Sequence, residues 1–205
     1  MRRVSDPPAK KSHATLSSAD DRLVWVDLEM TGLDVDQDVI VEIACIVTDS
    51  ALAPLDEGIQ LVVHADADTL KRMGDFVREM HTKSGLLKEI EGATVDVAAA
   101  QKATLDYVKQ HVPKPSTAPL CGNSIGTDRR FLARYMTELD DYLHYRSIDV
   151  SSLKELCRRW YPEVYRKRPG KAENHRALDD IRESIAELRF YRENLLIPAE
   201  KPEPA

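Results

Sequence analysis

Three short segments rich in β-branched and aromatic residues follow one another early in the chain, and they limit the possible folds more than any other feature does. They cover residues 23–29, 39–48 and 59–63, with Gly, Asp and Pro between them. Segments of this composition, bounded by turn residues, predict β-strands. Because the connections are short, we expect the three strands to pair antiparallel as a meander.

The second half of the chain alternates between strand and helix patterns. Apolar segments at residues 118–122 and 147–150 predict strands, and each precedes a helical pattern, at about residues 128–143 and 152–161. This alternation predicts parallel strands joined by helical crossovers. The sequence therefore predicts an α/β fold with one mixed five-stranded sheet, three strands antiparallel and two parallel, flanked by helices.

Helical periodicity accounts for most of the remaining sequence. We expect helices at about residues 70–80, 84–91 and 95–111, and a final helix at about residues 177–195 that follows a basic loop at residues 162–174. Apolar residues recur at helical spacing along the final helix, which predicts one buried face.

The 205-residue length fits one domain with a short extension at each end. Residues 1–20 are rich in charged residues, Ser and Pro and show no apolar periodicity, so we expect a flexible N-terminal extension. We expect residues 21–197 to form the folded domain and residues 198–205 a flexible tail. The first segment lacks the hydrophobic stretch of a secretory signal, and its acids are atypical of a transit peptide. The chain has only three cysteines, far apart in the sequence, which suggests no disulfide framework, so we expect a protein of the reducing cytoplasm.

The formal net charge of −6 limits the class of nucleic acid that the chain could bind. Affinity for long nucleic acids depends mainly on phosphate contacts with Lys and Arg, so we expect no binding to long duplex DNA. An oligonucleotide of a few residues needs only local positive charge. Since no apolar run approaches the length of a membrane span, we expect no membrane association either.

Two acids, Asp27 and Glu29, lie one residue apart in the first predicted strand. Side chains alternate between the faces of a strand, so both carboxylates point to one face while Val26 and Leu28 point to the other. Two like charges at the end of a buried strand are costly unless a cation neutralises them. The alternative is a pair of solvated acids, and this motif alone does not decide between the two.

A third acid, Asp128, lies where a predicted strand turns into a helix, and strand ends are where sites assemble in α/β sheets. His175 and Asp180 lie at the start of the final helical pattern. Residues five apart differ by about 140° around a helix, so we expect His175 in the loop or first turn while Asp180 reaches inward. Taken singly, each is also explained as a helix-start acid or a surface histidine.

Together, these four acids and one histidine lie at the ends of elements of one predicted sheet. Hydrolysis of phosphodiester bonds is commonly catalysed by two divalent ions, and hard ions such as Mg²⁺ prefer oxygen ligands. We therefore expect two metal ions, held by Asp27, Glu29, Asp128 and Asp180. An unperturbed histidine has a pKa of about 6.5 and can accept a proton from the attacking water at neutral pH, which predicts His175 as the general base.

These motifs resemble those of the DnaQ-like (DEDDh) 3′-to-5′ exonucleases: the two acids of the first strand, the segment around Asp128, and the His-x4-Asp spacing of the last helix. Longer stretches, among them VDLEMTGL at residues 26–33 and LCGNSIGTDRRFL at residues 120–132, are similar to the oligoribonuclease family in particular. The resemblance implies an RNase H-like fold, a homodimer, two Mg²⁺ or Mn²⁺ ions, and release of 5′-mononucleotides from RNA of two to five nucleotides.

The same resemblance implies contacts between apolar side chains and the bases of the RNA. Leu33 is similar to a residue that wedges between the two terminal bases. Phe76 stands where the family usually has Trp, and a phenyl ring can also stack on a base. The alternative for both residues is packing in the core.

The resemblance further implies polar contacts with the RNA. Arg146 and Ser151 are similar to a pair that caps the 5′ phosphate and thereby limits the length of the substrate. Ser124 and His81 are similar to groups beside the nucleotide, and Tyr145 to a residue supplied by the partner subunit.

Two other functions are compatible with the same motifs. A proofreading or single-stranded DNA exonuclease would share them and would prefer longer strands. A non-catalytic RNA-binding module could keep the fold, but we would then expect one of the acids or the histidine to be missing, and none is.

Overall fold

Five strands form one mixed sheet in the computed structural model, which describes residues 21–170 and 176–196. In chain order they are β1 (Leu23–Met30), β2 (Ile40–Thr48), β3 (Ile59–Val62), β4 (Pro119–Gly122) and β5 (His144–Asp149). Their spatial order is β3-β2-β1-β4-β5; β1 pairs antiparallel with β2 and parallel with β4. The outer pairs are β2 with β3, antiparallel, and β4 with β5, parallel. The predicted five-stranded sheet is confirmed, whereas the expected extension at residues 1–20 and tail at residues 198–205 lie outside the described residues.

Helices cover both faces of this sheet. They are α1 (Ala67–Arg72), α2 (Asp75–Lys83), α3 (Leu86–Gly92), α4 (Val97–His111), α5 (Gly126–Tyr135), α6 (Thr137–Tyr142), α7 (Val150–Trp160), α8 (Pro162–Tyr165) and α9 (Ala177–Leu195). In the described part of the chain, none of them is both long enough and apolar enough to cross a bilayer.

Two helices that periodicity predicts as continuous are each divided. The first breaks at Met73 and Gly74, and the second at Met136, whose backbone angles (φ −134°, ψ 54°) are not helical. Both methionines are buried, so the apolar pattern continues across each break and periodicity does not show it. The predicted loop at residues 162–174 begins with the short helix α8, where Pro162 occupies a first-turn position that suits proline.

β1 separates two apolar layers, because its side chains alternate between the two faces of the sheet. Val24, Val26 and Leu28 pack with residues of α4, α5 and α6, whereas Trp25 packs with residues of α7 and α9. Burial of each of these apolar side chains contributes about 1.5–3 kcal/mol. The residues that follow Trp25 at a spacing of two therefore also face α9.

Candidate active site

Three carboxylates meet where β1 passes the start of α9. Asp27 and Glu29 follow Trp25 on the α9 face of β1, and Asp180 belongs to the first turn of α9. One carboxylate oxygen from each residue lies within 4.8 Å of those of the other two. The structure thus brings together three of the four predicted acids, and the predicted base, His175, lies outside the described residues.

Asp128, the fourth predicted acid, lies beside this group. It is buried in the first turn of α5. Its Oδ1 accepts a hydrogen bond of 3.0 Å from the backbone N of Leu28, the residue between Asp27 and Glu29. Among the described residues, β4 pairs with β1 only at Val24 and Trp25. The backbone N of Leu28, further along β1, donates to the Asp128 carboxylate instead.

Burial disfavours the ionised forms of Glu29 and Asp128. Burial, together with the nearby charges of Asp180 and Glu42, raises the pKa of Glu29 to about 8. Burial likewise raises the pKa of Asp128 to about 7. A divalent cation would favour the ionised forms, and carboxylate oxygens are the ligands that hard cations prefer. The cluster is therefore compatible with a divalent metal ion.

His81 lies behind Glu29, with its side chain fully buried. Its Nε2 is 2.9 Å from the carbonyl oxygen of Met30, which can only accept, so Nε2 carries a proton. Its Nδ1 lies 3.9 Å from Glu29 Oε2. The second distance is too long for a hydrogen bond, so His81 is anchored to the backbone of Met30 and packs beside the Glu29 carboxylate. The predicted contact between His81 and a nucleotide stays a prediction.

The turn after β4 brings Ser124 and Ser151 together. Ser124 has a φ of 53°, in the left-handed region that few residues other than glycine adopt. Its backbone N donates to Asp149 Oδ1 at 2.9 Å and to Ser151 Oγ at 3.0 Å, and the two serine hydroxyls are 3.1 Å apart. These bonds stabilise the strained turn. They leave two hydroxyls side by side at the edge of the site.

The predicted base-contacting residues are exposed: 68% of the Leu33 surface and 80% of the Phe76 surface is accessible. Core packing, the alternative interpretation, is therefore wrong for both. Tyr145 is 75% exposed, and the guanidinium of Arg146 lies 5.5 Å from the centre of its ring. All four side chains are available to contact RNA or another chain.

Sequence reasoning missed Glu42, a buried residue of β2. Glu42 lies directly opposite Glu29 in the β1–β2 register and has no exposed surface. The signal in the sequence was a single acid within an otherwise apolar strand. Its partner, Arg176, is 134 residues away, so no local pattern indicates the pair.

Comparison with known proteins shows similarity to nucleases. Residues 24–188 match the exonuclease family RNase_T. The chain is 56% identical over 182 residues to the oligoribonuclease of Mycobacterium bovis (strain BCG / Pasteur 1173P2), and 55% identical over 182 residues to that of Mycobacterium leprae (strain TN). Each of these two alignments covers 89% of this chain and 85% of the relative.

Solved structures of exonuclease I share the fold at low sequence identity. The zinc-bound complex of the E. coli enzyme with single-stranded DNA matches with a TM-score of 0.67 at 14% identity, over 85% of this chain and 41% of that one. The enzyme from Methylocaldum szegediense matches with a TM-score of 0.58 at 18% identity, over the same shares. The chain thus spans about two fifths of these structures. The similarity concerns the fold, and it confirms the predicted RNase H-like architecture.

Proposed function

Because this chain belongs to the RNase_T exonuclease family and is 55–56% identical to mycobacterial oligoribonucleases, we propose that it hydrolyses very short RNA from the 3′ end. The expected substrates are RNAs of two to about five nucleotides, and the products are 5′-mononucleotides. The observation that carries this proposal is the meeting of the Asp27, Glu29 and Asp180 carboxylates within 4.8 Å of one another.

Two divalent ions, Mg²⁺ or Mn²⁺, are the proposed cofactors, with Asp27, Glu29, Asp128 and Asp180 as their protein ligands. When bound, such ions lower the pKa of the attacking water and stabilise the negative charge that develops on the leaving oxygen. The side chains fit this role because they offer hard oxygen donors, two of them buried (Glu29 and Asp128) and two half-buried (Asp27 and Asp180). The raised pKa values of Glu29 and Asp128 also reflect a need for positive charge at this place.

His175 is the proposed general base. It precedes Arg176, and Arg176 leads directly into α9, the helix that carries Asp180. An imidazole at this position can accept the proton of the attacking water at neutral pH.

The length of the substrate is proposed to be limited where Ser124 meets Ser151. Here the Ser151 hydroxyl and the Arg146 guanidinium cap the 5′ phosphate of a short RNA. Leu33 wedges between two bases and Phe76 stacks on one, which the exposure of both side chains supports. A longer strand would have to pass through this cap, so its hydrolysis is slower.

A homodimer and a cytoplasmic location complete the proposal. Tyr145 is proposed to reach the site of a partner subunit, and its exposure supports contact with another chain. The RNA itself is proposed to be short enough that local positive charge suffices, since the net charge of the chain is −6.

One assay tests the proposal and separates it from its alternatives. A dinucleotide and a twenty-mer, each as RNA and as DNA, are incubated with the protein and Mg²⁺ or Mn²⁺, and mononucleotide release is followed, with a chelator as the control. The proposal predicts rapid, metal-dependent decay of the RNA dinucleotide. Preference for the DNA twenty-mer would indicate a DNA exonuclease, and a dinucleotide bound tightly without release of product would indicate a binding module.

A further inference from the structure

A single guanidinium joins three elements next to the site. Arg176, the residue before α9, donates from Nε and Nη2 to Glu42 Oε1 at 3.1 and 2.8 Å. Its Nη1 and Nη2 donate to Glu89 Oε1 and Oε2 at 2.8 and 2.9 Å. Glu42 belongs to β2 and Glu89 to α3. This group of three residues, which we name the Arg176 bridge, ties β2 and α3 to the start of α9.

The bridge supplies positive charge where two buried acids oppose each other. Glu42 and Glu29 are direct partners in the β1–β2 register, and like charges in that position repel. The guanidinium of Arg176 forms an ion pair of 2.8 Å with Glu42 and thereby offsets the negative charge next to Glu29. Gln60 adds a bond of 2.6 Å from Nε2 to Glu42 Oε1.

The bridge also holds the backbone of the first turn of α9. Glu42 Oε2 accepts a hydrogen bond of 2.9 Å from the backbone N of Ala177, the first residue of the helix. The carbonyl oxygen of Arg176 accepts one of 3.0 Å from the backbone N of Asp180. Asp180 is therefore bonded through its backbone to a residue whose side chain is held by two glutamates. His175 precedes the same residue in the sequence.

We propose that Arg176 is a positioning residue: the Arg176 bridge holds the start of α9, and with it Asp180, in place against β1. The catalytic part of this inference rests on the proposed function. A displacement of about 1 Å in a catalytic group can cost about a hundredfold in rate. Loss of the bridge should therefore lower kcat far more than it changes KM, because no atom of the bridge is placed on the RNA.

Arg176→Ala and Arg176→Lys test the inference, and Arg182→Ala is the matched control. Arg182 lies on the same helix and also pairs with two carboxylates, those of Asp179 and Glu57, neither of which is a proposed metal ligand. All variants are compared with the parent protein by thermal unfolding, by kcat and KM on an RNA dinucleotide, and by Mn²⁺ affinity measured by EPR without RNA.

We expect kcat of Arg176→Ala to fall about thirtyfold or more while KM changes by less than about threefold. Mn²⁺ affinity should fall severalfold, because Asp180 is displaced. Arg176→Lys keeps the positive charge but loses the planar guanidinium, which donates to both glutamates at once. Its kcat should therefore lie between those of the parent and of Arg176→Ala. Added guanidinium ion should restore part of kcat to Arg176→Ala and have no effect on Arg182→Ala, whose kcat and Mn²⁺ affinity should equal those of the parent.

A folded Arg176→Ala protein with parental kcat and Mn²⁺ affinity would overturn the inference, as would an equal loss in Arg182→Ala or a loss confined to KM. If Arg176→Ala does not fold, Arg176→Lys decides: parental values in the lysine variant overturn the inference too. A parent protein that does not hydrolyse the dinucleotide contradicts the proposed function instead, and Mn²⁺ affinity then still tests the bridge.

Discussion

The two ends of the candidate site satisfy their polar groups in different ways. At the β1–α9 end, the buried carboxylate of Glu29 meets the half-buried carboxylates of Asp27 and Asp180, and the pKa of Glu29 rises to about 8. At the β4–β5 end, the Asp149 carboxylate accepts hydrogen bonds from the backbone N of Ser124 and of Ser151, each 2.9 Å long. The first end is compatible with a bound cation, whereas the polar groups of the second end are satisfied by hydrogen bonds within the protein. Changes at the first end should therefore act on the chemical step, and changes at the second on binding.

The largest effect is expected for Asp27→Ala, which removes a carboxylate from the β1–α9 end. Because the remaining acids cannot hold the metal ions in the same arrangement, turnover of an RNA dinucleotide should fall to the level measured with a chelator. Asp179→Ala, which changes the neighbouring half-buried acid that pairs with Arg182, is the control and should stay active. If Asp27→Ala cleaves the dinucleotide as fast as the parent, the metal assignment is wrong.

His175→Ala should have the second largest effect. Loss of a general base typically lowers a rate by about 10²–10⁴-fold, so kcat should fall by about a hundredfold or more. Mn²⁺ affinity, measured by EPR, should not change, because the four carboxylates remain. A variant that loses Mn²⁺ affinity as well would show that His175 acts on the metal site rather than on the water.

Ser151→Ala tests the β4–β5 end, where we expect a smaller effect confined to binding. A hydrogen bond to a charged group contributes about 1.5–3 kcal/mol, so KM for a 5′-phosphorylated dinucleotide should rise about tenfold or more with little change in kcat. A dinucleotide without the 5′ phosphate should bind the variant and the parent equally well. Equal losses for both substrates would contradict the proposed 5′-phosphate cap.

The smallest effect concerns stability in the absence of metal. Between pH 4.5 and about 8 the folded protein retains a proton on Glu29 that the unfolded chain releases, so the stability of the metal-free protein falls as the pH rises through this window. Glu29→Gln removes this cost. In a chelator at pH 8.5 its Tm should exceed that of the parent by at least about 2 °C.

At pH 5 the difference in Tm between Glu29→Gln and the parent should be much smaller, since Glu29 is then mostly protonated in the folded parent. Mn²⁺ at pH 8.5 should raise the Tm of the parent more than that of the variant. A difference in Tm that is the same at pH 5 and pH 8.5 would show that the ionisation of Glu29 carries no cost in the folded protein.

Local sequence patterns were sufficient to predict the sheet and the position of two acids on it. The alternation in β1 places Asp27 and Glu29 on one face, and this requires no more than the geometry of a strand. The same patterns missed the breaks at Met73 and Met136, because buried residues on both sides of a break keep the periodicity intact. Gly74 was a compositional signal for the first break. The second break falls on a single apolar residue, Met136, and left no such signal.

The sequence by itself determined the α/β class, the order of the strands along the chain, and the acids available for metal binding. Only the tertiary structure decided which distant groups meet. Asp128 bonds to the backbone of Leu28, 100 residues away, and Arg176 bonds to Glu42, 134 residues away. The physical reason is that periodicity reports the environment of each side chain, buried or exposed. The partner of a buried charge depends on how strands and helices pack together, which no local pattern encodes.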